Sequence, residues 1–212
     1  MNRILPFLAL FVLLSACARD DLTLPPEAIG NFQAGHLLAV APDPTLGPFS
    51  RRAEEGQWVE AMQTALEDRF RDRFPGDRTY HLGVAVQGYV LALPGIPLVY
   101  SPRSVLIFQV NFYDDATRAR LNPEPIQLTV FEACCTVPIL GSGLTKTKEE
   151  QMEALSFNAA RAIERTMREN GQWFGGVAET LADDDTIREG NVLVDDPDFV
   201  APPESAPGDT GS

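Results

Sequence analysis

Apolar residues along the chain recur at two spacings, every second position or every third to fourth, and the order of those stretches predicts the architecture. His36-Leu37-Leu38-Ala39-Val40-Ala41 is a short apolar run stopped by Pro42 and Pro44, which predicts a first strand. Ser50 then stands where it can cap a helix over 51–74, ended by Pro75-Gly76. That helix places Val59, Met62, Leu66, Phe70 and Phe74 on one face, the pattern of a helix buried along one side. From 79 to 93 the alternation is clean. Tyr80, Leu82, Val84, Val86 and Val90 share one face of the expected strand, and His81, Gly83, Gln87 and Tyr89 share the other. After Leu93-Pro94-Gly95-Ile96-Pro97, alternation resumes over 104–113, with Leu106, Phe108, Val110 and Phe112 opposite Gln109, Asn111 and Tyr113.

Asp114-Asp115-Ala116-Thr117 reads as a turn, and the returning arm, interrupted by Pro123 and Pro125, reaches Ile126, Leu128 and Val130. A second helix is expected over 148–169. Thr147 and Glu150 form its capping box, Met152, Leu155, Ala159, Ile163 and Met167 its apolar stripe, and Asn170-Gly171 its end. A short amphipathic piece through Trp173, Phe174, Val177 and Leu181 follows. The order strand, helix, strand, strand, strand, helix predicts an α+β two-layer sandwich. Its sheet has about four strands, mostly antiparallel, with two helices on one face. The first helix is long enough for a crossover, so the first two strands can be parallel.

The amino terminus has a different character. Arg3 precedes an apolar run from Ile4 to Leu14, which at 1.5 Å per residue covers only about half a bilayer core. A charged start, a short apolar centre and small residues make the three-part pattern of a secretory signal peptide. Leu14-Ser15-Ala16-Cys17 resembles the lipobox of bacterial lipoproteins. The resemblance implies cleavage after Ala16, lipidation of Cys17 by a diacylglyceryl thioether, and acylation, palmitate among the chains, of the new amino group. Two or three chains suffice for stable anchoring, since each buried methylene contributes roughly 0.8 kcal/mol. Ala18 in place of Asp implies, by resemblance to Gram-negative lipoproteins, the periplasmic face of the cell outer membrane. Four segments are then expected: a signal peptide over 1–16, a flexible tether over 17–35 containing Pro25, Pro26 and Gly30, an α+β domain over 36–175, and an acidic, largely disordered tail over 176–212.

The element order, with the hairpin VLIFQVNFYDDATRARL and the closing helix ALSFNAARAIERTM, resembles small periplasmic α/β lipoproteins. These include uncharacterised envelope families and the domain shared by curli-secretion lipoproteins and the amino-terminal part of the Tol-system translocation protein. The resemblance implies an architecture; no catalytic residue carries over with it.

Charge narrows the partners. Lys plus Arg is 17 and Asp plus Glu is 30, for a net charge of −13, and removing the leader with Arg3 makes the remainder more acidic still. Nucleic acid and anionic lipid surfaces are disfavoured, because phosphate binding needs clustered Lys and Arg. Much of the excess lies after Val177, in Asp183-Asp184-Asp185 and Asp195-Asp196 among others. That segment is either a docking tail for a basic partner or a solvated, self-repelling stretch.

Little of the chain looks catalytic. His36 and His81 are the two histidines, and His81 stands on the polar side of its strand. Ser142 in GSGLT lacks the Gly-x-Ser-x-Gly elbow of a hydrolase. Adjacent Cys134-Cys135 and scattered histidines have no zinc spacing, and Ile187 falls at the fifth position from Asp183, where a calcium loop needs oxygen. No enzyme, metal or cofactor is therefore expected. Cys134 and Cys135 are either a vicinal disulfide serving as a redox or ligand-sensing pair, or two thiols alternating between core and surface.

What remains is the sheet face that neither helix covers. Tyr89, Gln109, Asn111, Tyr113, Gln127, Thr129 and Phe131 are expected to line it, aromatic groups among amides, as a contact surface for a protein or a glycan. The opposing expectation is that the short terminal helix or water covers it. The function expected is that of an outer-membrane-anchored periplasmic lipoprotein, a non-enzymatic binding or assembly accessory with an envelope protein as partner. The alternative is a sensor using Cys134 and Cys135.

Overall fold

The computed structural model describes residues 21–93, 103–132, 146–179, 181 and 187–189. One mixed sheet carries two helices on one face, as the hydrophobic pattern predicts. Its elements are β1 (Phe32–Val40), β2 (Thr45–Leu46), α1 (Glu55–Phe70), β3 (Arg78–Val90), β4 (Val105–Asp114), β5 (Ile126–Phe131), α2 (Lys148–Glu169) and β6 (Ile187–Glu189). The strand order is β1-β3-β4-β5-β6, with β2 also paired to β3. β1 and β2 run parallel to β3, and the remaining pairs are antiparallel. The four expected strands form the body of the sheet; β2 and β6 are additions of two and three residues.

Both helices owe their starts to reciprocal caps. At α2 the Glu150 N–H donates to Thr147 Oγ1 at 3.1 Å and the Thr147 N–H donates to Glu150 Oε2 at 2.7 Å, the expected capping box. α1 begins four residues later than the sequence suggests, capped by Glu54 with Gln57. Ser50 serves the sheet instead, its hydroxyl accepting from the Leu91 N–H at 2.8 Å. The buried apolar stripe of α1 is Trp58, Met62, Leu66 and Phe70, with Val59 half-buried and Phe74, expected on the same helix face, buried beyond the end of the helix. Burial of each of these large side chains contributes about 1.5–3 kcal/mol.

The helices run in the same direction. Lys148 Nζ donates to Gln57 Oε1 at 3.0 Å near their amino-terminal ends, and Arg69 pairs with Glu164 at 2.9 Å near their carboxyl ends. Beneath them lies one core to which all the long strands contribute. One end of it is aromatic: Phe32, Phe70, Phe74, Tyr80, Phe112 and Phe174 meet with ring centroids 5.2–6.3 Å apart.

Two expectations about the boundaries change. The folded region starts earlier than residue 36, since Ile29 and Phe32 are buried and β1 starts at Phe32. Within the segment expected as an acidic tail, Ile187–Glu189 pairs with β5, and Glu179 pairs with Arg168 at 3.2 Å. The short terminal piece is a single 3-10 turn over Gly171–Phe174, and Phe174 plugs the aromatic end of the core, so this piece does not cover the opposite sheet face.

Candidate contact face

Strand alternation sends Leu106, Phe108, Val110 and Phe112 of β4 toward the helices and Gln109, Asn111 and Tyr113 away from them, as expected. On β3 the alternation is broken. The register passes from Val86 opposite Phe108 to Gly88 opposite Ile107, so Gln87 is an extra residue, a β-bulge that reverses which side chains face the core. Tyr89 is therefore not on the uncovered face: it is 3% exposed, its ring lies 4.9 Å from Trp58, and its hydroxyl donates to the Ala53 carbonyl at 3.0 Å. Val90, expected in the core, turns away in the same reversal.

Paired residues run across the uncovered face in three rows. His81 lies opposite Tyr113; Leu38, Gly83 and Asn111 form the second row; Val40, Ala85, Gln109 and Gln127 form the third. Gly83 and Ala85 make a shallow floor between two unlike walls. One wall is apolar, with Leu38 58% and Val40 40% exposed, and the other is a ladder of amides ending in Tyr113, 37% exposed. A Cβ on Gly83 would meet the Tyr113 ring at 3.8 Å, ordinary contact, so the missing side chain deepens the floor without a steric need for glycine there. Beyond the bulge the same face is closed: Val105, Ile107 and Thr129 are buried, and Phe131 is half-buried. Thr129 thus drops out of the expected surface.

Leu38 and Val40 are the contributors the sequence pattern did not single out. The available signal was the unbroken apolar run 36–41, since a strand with one buried face needs apolar residues only at alternate positions.

At one end of the face His81 has both ring nitrogens engaged. Nδ1 accepts from the His36 backbone N–H at 2.8 Å, Nε2 lies 2.9 Å from Asp115 Oδ1, and the His36 ring stacks at 4.9 Å. A histidine–carboxylate pair is present, but the second nitrogen, which a general base would turn toward a nucleophile, is capped by backbone. Nearby, Asp114 accepts from the Thr117 and Ala116 backbone N–H groups and pairs with Arg78. These bonds, the Thr117 one foremost, hold its carboxyl below the usual carboxylate range. Burial pushes the Tyr80 phenol above its ordinary value.

Among the described residues, no group of three His, Cys, Asp or Glu side chains is placed to hold a metal ion. No helix among them is long and apolar enough to cross a membrane. Cys17, Cys134, Cys135, Ser142, Asp183-Asp184-Asp185 and Asp195-Asp196 lie outside the described residues.

No family model matches the chain, and no curated protein sequence does. Among solved structures, a candidate lipoprotein from Caulobacter crescentus CB15 is 15% identical, with 65% of this chain and 88% of that one covered at a TM-score of 0.32. A Xanthomonas campestris protein of the DUF330 family is 12% identical over 70% of this chain and 94% of its own, at 0.38. A minor lipoprotein from Acinetobacter baumannii is 16% identical over 65% and 95%, at 0.29. The chain distantly resembles these small bacterial proteins.

Proposed function

We propose that the chain is a non-enzymatic lipoprotein of the bacterial envelope, lipidated at Cys17, and that it contacts another envelope protein through the uncovered sheet face. The observation that carries the contact is the pairing of exposed Leu38 and Val40 with the amides of Asn111, Gln109 and Gln127 across the small residues Gly83 and Ala85. Exposed aliphatic side chains beside a ladder of amide groups, of which Asn111 accepts from Asn122 at 3.2 Å, suit an interface with an apolar centre and a hydrogen-bonding rim. The capped ring of His81 supports a binding role over a hydrolytic one. The anchor rests on Leu14-Ser15-Ala16-Cys17, with outer-membrane sorting resting on Ala18.

Two measurements test the reading. Mass spectrometry of native material should find diacylglycerol on Cys17 as the first residue; an unmodified thiol there removes the anchor. A photo-crosslinking residue at position 38, 85 or 113 in intact cells should capture one common protein that position 77, on the α1–β3 connection, does not. Capture of that protein equally from position 77, or of none from the face, refutes the contact.

A further inference from the structure

The layer opposite the sheet face carries a second surface with its own chemistry. Between α1 and α2 runs a groove of about 530 Å³ whose floor is Ala61, Ala65 and half-buried Phe157. It exists because α1 presents alanines where α2 presents Met152 and Phe157, so the helices are tied at their ends by Lys148–Gln57 and Arg69–Glu164 but leave a trough between. At its carboxyl end the Arg69 guanidinium lies over the Phe157 ring, 5.0 Å from its centroid.

Both walls of this trough are acidic. Glu60, Thr64 and Asp68 form one ridge at four-residue spacing, about 12 Å long at 1.5 Å per residue, and Glu149 and Glu153 stand on the facing ridge of α2. Among the described residues, no Lys or Arg lines the groove. The cations at its two ends are already engaged: Lys148 at the amino-terminal mouth pairs with Glu149 at 3.5 Å, and Arg69 at the carboxyl end pairs with Glu164 at 2.9 Å. Glu60, Asp68 and Glu153 are exposed and have no cationic partner among the described residues. Helix dipoles do not account for them: carboxylates are favoured within the first turn, where Glu55, Glu149 and Glu150 sit, whereas Glu60 and Glu153 lie beyond it and Asp68 stands in the last turn of α1, where a negative charge is unfavourable.

We propose that this groove docks a cationic amphipathic helix of a partner protein, with an apolar stripe on Ala61, Ala65 and Phe157 and Lys or Arg side chains against Glu60, Asp68 and Glu153. Parallel ridges flanking an apolar floor match the way a helix lies in a groove, with anchors at three- and four-residue spacing. Carboxylates on both walls select the cationic flanks and exclude an acidic helix or an anionic membrane surface. The site is on the far layer from the sheet face, so it stands or falls separately from that contact.

The full chain held in phosphatidylcholine nanodiscs is titrated with a fluorescent synthetic helix of about fourteen residues, one leucine stripe and lysine elsewhere, with empty discs as blank. Glu60→Gln with Glu153→Gln should weaken binding about tenfold, and Asp77→Asn with Glu124→Gln, which removes the same charge elsewhere, less than about twofold. Replacing the leucines of the probe by serine at constant charge should weaken it by about tenfold as well. Equal weakening by the two double variants means attraction to net charge alone and overturns the proposal, as does no binding to the unaltered chain. Concentration-dependent self-association that the groove variant abolishes would assign the groove to a second copy of the chain and overturn it too.

Discussion

The backbone N–H of His36 donates to Nδ1 of His81 across 2.8 Å, and this bond determines the tautomer of the ring. With Nδ1 accepting, the proton resides on Nε2 and points to Asp115 Oδ1 at 2.9 Å. The bond lies where β1 departs from regular pairing with β3, between Ala34 and Leu37. There β1 carries one extra residue, and the ring packs so closely that a Cβ on Gly35 would lie 2.5 Å from Nδ1.

His81→Ala should therefore cost about 1 kcal/mol, the net value of a hydrogen bond, and concentrate its effect at the edge of the sheet. Amide exchange should quicken at His36 while Val84 and Val110 in the core keep their protection. Gly35→Ala should produce the same local opening by displacing the ring. Unchanged exchange at His36 in both variants would show that the ring does not hold this edge.

Arg69 and Glu164 join the two helices within the core layer, with side chains 4% and 11% exposed. Removing one member of a pair buried this far costs more than the intact pair contributes. Glu164→Leu alone should lower stability by about 3 kcal/mol, and Arg69→Met with Glu164→Leu should recover most of it. Chemical denaturation of the three variants decides the matter; a double variant as unstable as the single one would mean that packing, and not charge, sets the cost.

Tyr80 is fully buried against Phe32 and Phe174, and its hydroxyl has no hydrogen-bond partner among the described residues. Desolvating a hydroxyl without a partner is unfavourable, so Tyr80→Phe removes a penalty and leaves the ring packing intact. A gain of about 1 kcal/mol is expected by thermal or urea unfolding. A loss of that size would reveal a partner for the hydroxyl in solution.

Much of this architecture is legible in the sequence, and the departures from its pattern share a physical cause. Period-two spacing predicts three of the long strands and three- to four-residue spacing both helices, because each element buries one face and the spacing records which; β1 is predicted only by its unbroken apolar run. What the spacing does not record is a change of phase. The extra residue at Gln87 sends Tyr89 to the core and Val90 outward, and the extra residue near Gly35 does the same for Leu38 and Val40 of β1. The cap of α1 departs from expectation for a related reason: Ser50 has the right chemistry for a cap, but its hydroxyl is taken by the Leu91 N–H of the sheet. β2 and β6 are too short to show any period. On the contact face, Gln109, Asn111 and Tyr113 could be read from alternation alone, whereas its apolar wall depends on strand pairing between residues more than forty positions apart.

Three carboxylates tie the stability of the fold to acid. Asp114 is held low by the Thr117 backbone N–H first, Glu67 by its side-chain bonds to Arg71, and Glu150 by the Thr147 backbone N–H. Each has a folded pKa below its unfolded value, so in the pH range between the two the unfolded chain binds more protons and stability rises with pH. The contribution is complete above the ordinary carboxylate pKa, about 4, and disappears as pH falls through the folded values. Urea midpoints should accordingly drop between about pH 5 and pH 3. In Asp114→Asn that drop should be smaller, because the amide oxygen still accepts from Thr117 and Ala116 but no proton is taken up there. Glu150→Gln retains the capping geometry of α2 without the charge and should flatten the same limb independently, the two sites lying on opposite layers of the domain. An acid limb of equal slope in the natural chain and in both variants would mean that the hydrogen bonds to these carboxylates do not discriminate between their charged and neutral forms.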